Sequence, residues 1–376
     1  MKVIRRKCSI VISYIHSIFL TVSVISLFPV TIFSMNEKVT PEITLSEKIL
    51  NQIIDRQEKF FKIGKSATKT SEQEMTRHAQ DIVAAYESYL SDNPKDFHAL
   101  ILFGKFLRKV GQQEHAVDFF IQADKINPKL AVVKQQLANY LIEKGKPVDA
   151  FPYFILTIEL NPNEAVYHFH LGNFLFLFQK ELINEGILNR LSAQSFMHRS
   201  FLEASILKPN NFDFQLRYAQ SFFDFPESNK AKALIVWEKI EKNFPDRSKL
   251  EHDYFRLCRA RVLLELNRQK DASVLINTVS SKSLQEVRDA LLLQATDNEV
   301  APVPLHRHET QEKNNKQSYH QLDHKNFLPT DPHLERLRKL TSRLIEEKML
   351  SELKVDAIRA SYDKSGEIKI QITKAR

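Results

Sequence analysis

The sequence is poor in glycine and cysteine: 376 residues contain seven glycines, two cysteines and one tryptophan. Loops that cradle phosphates, and strained turns that present a nucleophile, need backbone conformations that a Cβ disfavours. Seven glycines leave little room for them, and no Gly-rich phosphate loop, nucleophile elbow or zinc signature occurs. Gly64-Lys65-Ser66 copies the end of a phosphate loop, yet position 59, five residues before Gly64, is lysine. Cys8 lies in an apolar amino-terminal run, so Cys258 stands alone in the remainder and no disulfide can form there. Arg256 and Arg259 flank Cys258 without offering a general base, and a buried, inert thiol is expected. No convergent acid, base and nucleophile can be assembled, so neither an enzyme nor a cofactor or small-molecule substrate is expected.

A concentrated basic patch is also lacking. The formal charge is +8, but residues 1–35 hold four basic and no acidic residues, and residues 301–376 hold fifteen basic and eleven acidic ones. Between them stand thirty-five of each sign. Counterion release rewards clustered positive charge, so nucleic acid is not an expected partner, and an RNA-binding helical repeat is only an alternative.

What the chain has in quantity is apolar and aromatic residue, 43% hydrophobic with 26 phenylalanines, and the first concentration of it is at the amino terminus. Lys2, Arg5, Arg6 and Lys7 precede a run from Cys8 to Met35 whose one titratable side chain besides Cys8 and Tyr14 is His16. That length suits a spanning helix. The run ends at Thr31-Ile32-Phe33-Ser34, a poor cleavage site, so an uncleaved anchor over residues 1–35 is expected, with secretion after signal cleavage as the alternative. The positive-inside rule then puts residues 36–376 on the extracytoplasmic, periplasmic side.

A 34-residue period follows. From Phe97 it places Leu100, Phe103, Gly104, Leu107, Ala116, Phe120, Ala123 and Pro128; the next window places Leu137, Ala138, Leu141, Ala150, Phe154 and Pro162, with Lys134 in a bulky slot and Thr157 in a small one. Small residues stand where two helices cross closely, Phe120 and Phe154 are expected to fill the volume between neighbouring pairs, and each proline ends a second helix. These positions resemble the tetratricopeptide repeat (TPR). The resemblance implies an all-α fold, a right-handed superhelix of antiparallel helix pairs.

The windows are 97–130, 131–164, 165–211, 212–247 and a degenerate 253–280, within an array spanning 97–296. The third carries an insertion between Phe176 and Phe196, where Leu182, Ile183, Ile187, Leu188 and Leu191 recur at helical spacing; they extend the helices as core or form a partner-docking hairpin. Residues 36–96 hold a helix opened by Thr40 and Pro41 and a half-formed first repeat with Tyr86, Tyr89 and Pro94. Residues 297–332 are a polar linker. Residues 333–376 are a tail: an apolar stripe from Leu334 to Met349, then strands around Ile358–Tyr362 and Ile368–Ile372 joined by Asp363-Lys364-Ser365-Gly366.

The resemblance also implies that the first helix of each pair lines a concave groove, its ninth position pointing inward. Those positions are Lys105, Asn139, Asn173 and Gln220, with Gln135, Gln136, His170 and Arg217 nearby. Side-chain amides both donate and accept, so such a row can pair with the backbone of an extended peptide; a solvated groove needing polar residues is the plainer account. Some TPR groups clamp a terminal carboxylate with Lys, Asn, Asn, Lys and Arg. Here Ile101 and Val166 replace two lysines and Lys105 the first asparagine, which puts that recognition in doubt. His306, His308, His320 and His324 could supply imidazoles, but from a segment without packing, and no metal is expected. The expected function is a non-enzymatic scaffold binding a protein or extended peptide near a membrane. The alternative is an accessory subunit acting through its tail by strand addition.

Overall fold

A computed structural model of the chain describes residues 44–64, 71–297, 355–362 and 368–374. The expected membrane segment, the Thr40-Pro41 helix start, residues 65–66, linker residues 298–332 and the 334–352 helix lie outside the described residues. Among the described residues no helix is long and apolar enough to cross a membrane. The chain divides into two compact units, one holding residues 44–200 with the two strands, the other residues 201–297.

In the first unit, α1 (Leu45–Gly64) and α2 (Glu72–Asp92) pair ahead of the regular repeats. Thr44 caps α1 reciprocally: its N–H donates to Glu47 Oε2 at 2.8 Å and Glu47 N–H donates to Thr44 Oγ1 at 3.2 Å. A Thr-x-x-Glu box satisfies two orphan donors at once, which places the described start four residues beyond Thr40. Tyr86 of α2 stacks at 4.8 Å on Phe103 of α3 (Phe97–Lys109), and Phe60 of α1 meets Phe106 edge-on at 5.8 Å.

Helices α3 and α4 (Gln113–Ile126) form one pair, α5 (Ala131–Glu143) and α6 (Pro147–Leu160) the next. A Cβ on Gly104 would lie 2.7 Å from Phe120 Cε1, so glycine is what lets α3 and α4 cross. Phe120 fills the space inside its own pair that the missing side chain at Gly104 leaves. Phe154 does bridge pairs, stacking at 4.6 Å on Phe174 of α7 (Ala165–Asn184). Lys134, the misfit in its slot, is buried with its Nζ 2.9 Å from Asp124 Oδ2. Burial pushes the Asp124 carboxyl up while Lys134 pulls it down. The insertion lengthens α7 and α8 (Arg190–Leu207): Phe178 leaves helical geometry, Gly186 turns at φ +67°, Leu182 and Ala193 are buried, and Leu177 and Leu191 are exposed.

Strands β1 (Val355–Tyr362) and β2 (Ile368–Lys374) pair antiparallel, Ile358 opposite Ile372, with an irregularity between Val355 and Ala357. A two-stranded hairpin is marginal alone, and β1 packs on α2. At Gly111, whose φ is +85°, a Cβ would come within 3.0 Å of Lys369 Cδ.

The second unit holds α9 (Phe212–Asp224), α10 (Lys230–Asn243), α11 (Lys249–Glu265) and α12 (Gln269–Asn277). The fifth pair thus begins four residues before 253, at a Ser248–Glu251 capping box. A 3-10 turn (Lys282–Leu284) and α13 (Gln285–Asp297) follow, inside the stretch that sequence alone leaves without a helix. Leu284, Leu291 and Ala295 cover Leu257, Ala260 and Ile276, closing an apolar edge the fifth pair would otherwise expose. Asp253, with no exposed surface, accepts from Ser280 N–H (3.1 Å), Ser281 N–H (2.9 Å) and Ser281 Oγ (2.6 Å), tying α11 to the end of α12. Arg259 Nη1 and Arg256 Nε reach Glu241 of α10 at 2.7 and 3.0 Å.

Candidate functional site

The first helices of three successive pairs, α3, α5 and α7, begin at Phe97, Ala131 and Ala165, 34 residues apart. Equal helical phase then gives Lys105, Asn139 and Asn173 equivalent places, each nine positions into its helix. The helix starts have local causes. Asp96 caps α3 by accepting from His98 N–H at 2.9 Å and Ala99 N–H at 3.2 Å, and the Tyr89 hydroxyl holds its other oxygen at 2.7 Å. Glu164 caps α7 through Val166 N–H. Before α7, His168 Nε2 lies 2.7 Å from Pro162 O, pinning the turn to the helix it opens.

Lys105, Asn139 and Asn173 are all half-buried. Lys105 has no ion-pair partner among the described residues, and burial lowers its ammonium pKa. Asn139 Oδ1 accepts from Gln135 Nε2 at 3.2 Å, and Gln135 is itself only 3% exposed. Gln135 therefore orients Asn139 from behind rather than facing an open groove.

Gln136 Oε1 accepts from Arg108 Nη1 at 2.9 Å, while Arg108 Nη2 lies 3.0 Å from Glu143 Oε1. One arginine thus bridges α3 to two residues of α5. His170 is driven down from 6.5 to about 4 by burial, with Arg108 adding to the effect, so its ring is neutral at physiological pH. Neither Arg108 nor Glu143 is among the expected site residues. The signal was Arg108 itself, three residues after Lys105 and hence on the same helix face.

In the second unit, Gln220 Nε2 donates to the Tyr254 hydroxyl at 3.1 Å, joining α9 to α11. Arg217 is buried: Nη1 pairs with Asp224 Oδ2 at 2.9 Å and the guanidinium stacks 4.3 Å from the Phe201 ring. It braces its own unit, since a desolvated guanidinium with a carboxylate and a ring on it is not free to read a ligand. Ile101 is buried and Val166 half-buried, so no lysine stands at those two clamp positions. Cys258 is buried, its thiol pushed up to about 12 by burial, which leaves no thiolate for chemistry.

No protein-family model matches the chain, and no curated protein matches it. Among solved structures it is similar to YrrB, described as a TPR protein with an unusual peptide-binding site, at 15% identity and a TM-score of 0.44, covering 57% of this chain and 98% of that one. It is similar to PilW, a widely conserved type IV pilus biogenesis factor, at 13% identity and TM-score 0.41, covering 65% and 98%. MamA matches at 14% identity and TM-score 0.36, covering 51% and 93%. Helix pairs in a 34-residue register, a glycine crossing at Gly104 and second helices that end before Pro128 and Pro162 give the chain a TPR-type fold.

Proposed function

We propose that the chain is a non-enzymatic scaffold that holds an extended peptide or protein segment along the wall carrying Lys105, Gln136, Asn139, His170 and Asn173. The observation that carries this is the repetition: half-buried polar side chains recur at one helical position on α3, α5 and α7. Amides repeated at repeat spacing suit a ligand that is itself periodic in donors and acceptors, which is what an extended backbone is. The charge pattern of residues 1–35 supports tethering to a membrane with the array on the extracytoplasmic side.

Crosslinking of the native protein, read by mass spectrometry, should capture partners through residues of this wall. Asn139→Ala with Asn173→Ala should remove them while the circular-dichroism spectrum stays helical. Partners unchanged in the double variant would sink the groove reading. A second reading places the function in the tail by strand addition. Deleting residues 333–376 separates the two, because loss of every partner with the repeats still folded would favour the tail.

A further inference from the structure

In the first two regular pairs charge is sorted between the two helices. The first helices α3 and α5 carry Lys105, Arg108, Lys109 and Lys134 against Glu143. The second helices α4 and α6 carry Glu114, Asp118, Asp124, Asp149 and Glu159 against Lys125 alone. Helix α3 has no acidic residue.

Much of this charge is already used. Lys134 is consumed by Asp124 inside the fold, Lys109 lies 3.8 Å over the Phe61 ring, and Glu143 is held by Arg108. What remains along the candidate wall is Lys105 without a counter-ion among the described residues, Arg108 sharing one carboxylate, and the uncharged Gln136, Asn139, His170 and Asn173. We infer that the ligand of this wall is acidic: an extended peptide whose Asp or Glu side chains face α3, one carboxylate pairing with Lys105, while its backbone runs along Asn139 and Asn173.

The inference rests on the groove reading and adds the ligand's charge to it. A half-buried ammonium loses hydration without gaining a partner, and an incoming carboxylate supplies that partner where screening is weaker than at an open surface. A polypeptide fits better than a nucleic acid. Among the described residues the wall offers one uncompensated cation where a phosphate backbone presents a charge at every nucleotide, and its amides match peptide groups.

The test uses the full chain in detergent and three fluorescein-labelled twelve-residue peptides of alternating Glu–Ser, Gln–Ser and Lys–Ser, followed by anisotropy, with a labelled single-stranded RNA as a fourth probe. The Glu–Ser peptide should bind roughly tenfold more tightly than Gln–Ser, with the Lys–Ser peptide weakest. The preference should shrink as salt rises through roughly 50 to 300 mM. Lys105→Gln should remove most of it and Lys105→Arg should keep it. Equal binding of Glu–Ser and Gln–Ser peptides, both lost in Asn139→Ala with Asn173→Ala, would overturn the acidic preference and leave the groove standing. Glu–Ser binding that no wall variant alters would overturn both. No Glu–Ser binding at millimolar concentration, tighter Lys–Ser binding, or Lys105-dependent RNA binding stronger than any peptide's would overturn the acidic-peptide assignment.

Discussion

The two units solve the same packing problem with different chemistry. Where the repeat keeps its consensus, as in α3 to α6, pairs are closed by a small residue under a large ring, Gly104 beneath Phe120, and rings such as Phe154 and Phe174 join one pair to the next. Where consensus is lost, as in α10 to α12, charged hydrogen bonds are added to the contacts of Trp237 and the apolar cluster around Leu257: Asp253 gathers the Ser280–Ser281 turn, and Glu241 gathers Arg256 and Arg259. Apolar crossings depend on shape that a repeat can encode again and again. Ionic braces depend on one-off partners, Asp253 and Ser281 being 28 residues apart. A degenerate repeat can therefore stay folded while its consensus fades.

The sharpest challenge to this contrast is the buried Lys134–Asp124 ion pair inside the consensus region. Lys134→Met should cost about 3–5 kcal/mol in urea unfolding, because it strands the buried Asp124 carboxylate. Adding Asp124→Leu should recover most of that loss; no recovery would mean the pair is needed for more than its own compensation.

Asp253→Asn should cost about 2–3 kcal/mol, by loss of the charge that three donors address. Burial works to raise the Asp253 carboxyl, but the bonds from Ser281 and Ser280 and the nearby Arg256 outweigh it and hold it below its usual value. The folded state thus binds this proton less readily than the unfolded chain, so the stabilisation is full above the ordinary aspartate range near pH 4 and is lost as pH falls through the depressed value. Unfolding midpoints measured from pH 6 to pH 3 should fall less steeply in Asp253→Asn than in the parent chain. Identical slopes would deny Asp253 this role.

Gly104→Val should destabilise by about 1–3 kcal/mol through overpacking against Phe120, with Phe120→Leu partly relieving it. A neutral Gly104→Val would remove the crossing from the account of the consensus pairs. Ser71→Ala should cost about 1 kcal/mol, since Ser71 Oγ accepts from Glu74 N–H at 3.2 Å as the cap of α2. Hydrogen exchange in the first turn of α2 is the measurement.

Much of the fold could be read before any coordinates. Gly104 marked its crossing, and Pro128 and Pro162 stand two residues past the last residues of α4 and α6. Rules that act over three or four residues leave local marks. The apolar spacing of Leu182 is likewise explained by its burial in the lengthened α7. Less legible was where the unit after the fifth pair would stop, because α13 is called for by an exposed apolar edge and not by a repeat position. Of the site, the phase of Lys105, Asn139 and Asn173 followed from the period. The status of Gln135 and Arg217 did not, since burial depends on neighbours that sequence spacing leaves open.

By itself the sequence determined the helix pairs, their spacing and the polar character of one helical position, because periodicity and capping are properties of contiguous residues. Only the tertiary structure decided that Arg217 pairs with Asp224 against Phe201, that Arg108 links Gln136 to Glu143, that Lys134 is neutralised in the core, and that Lys105 has no counter-ion among the described residues. Each of those outcomes turns on which charge meets which across separate helices. That distance is set by packing and not by position in the chain.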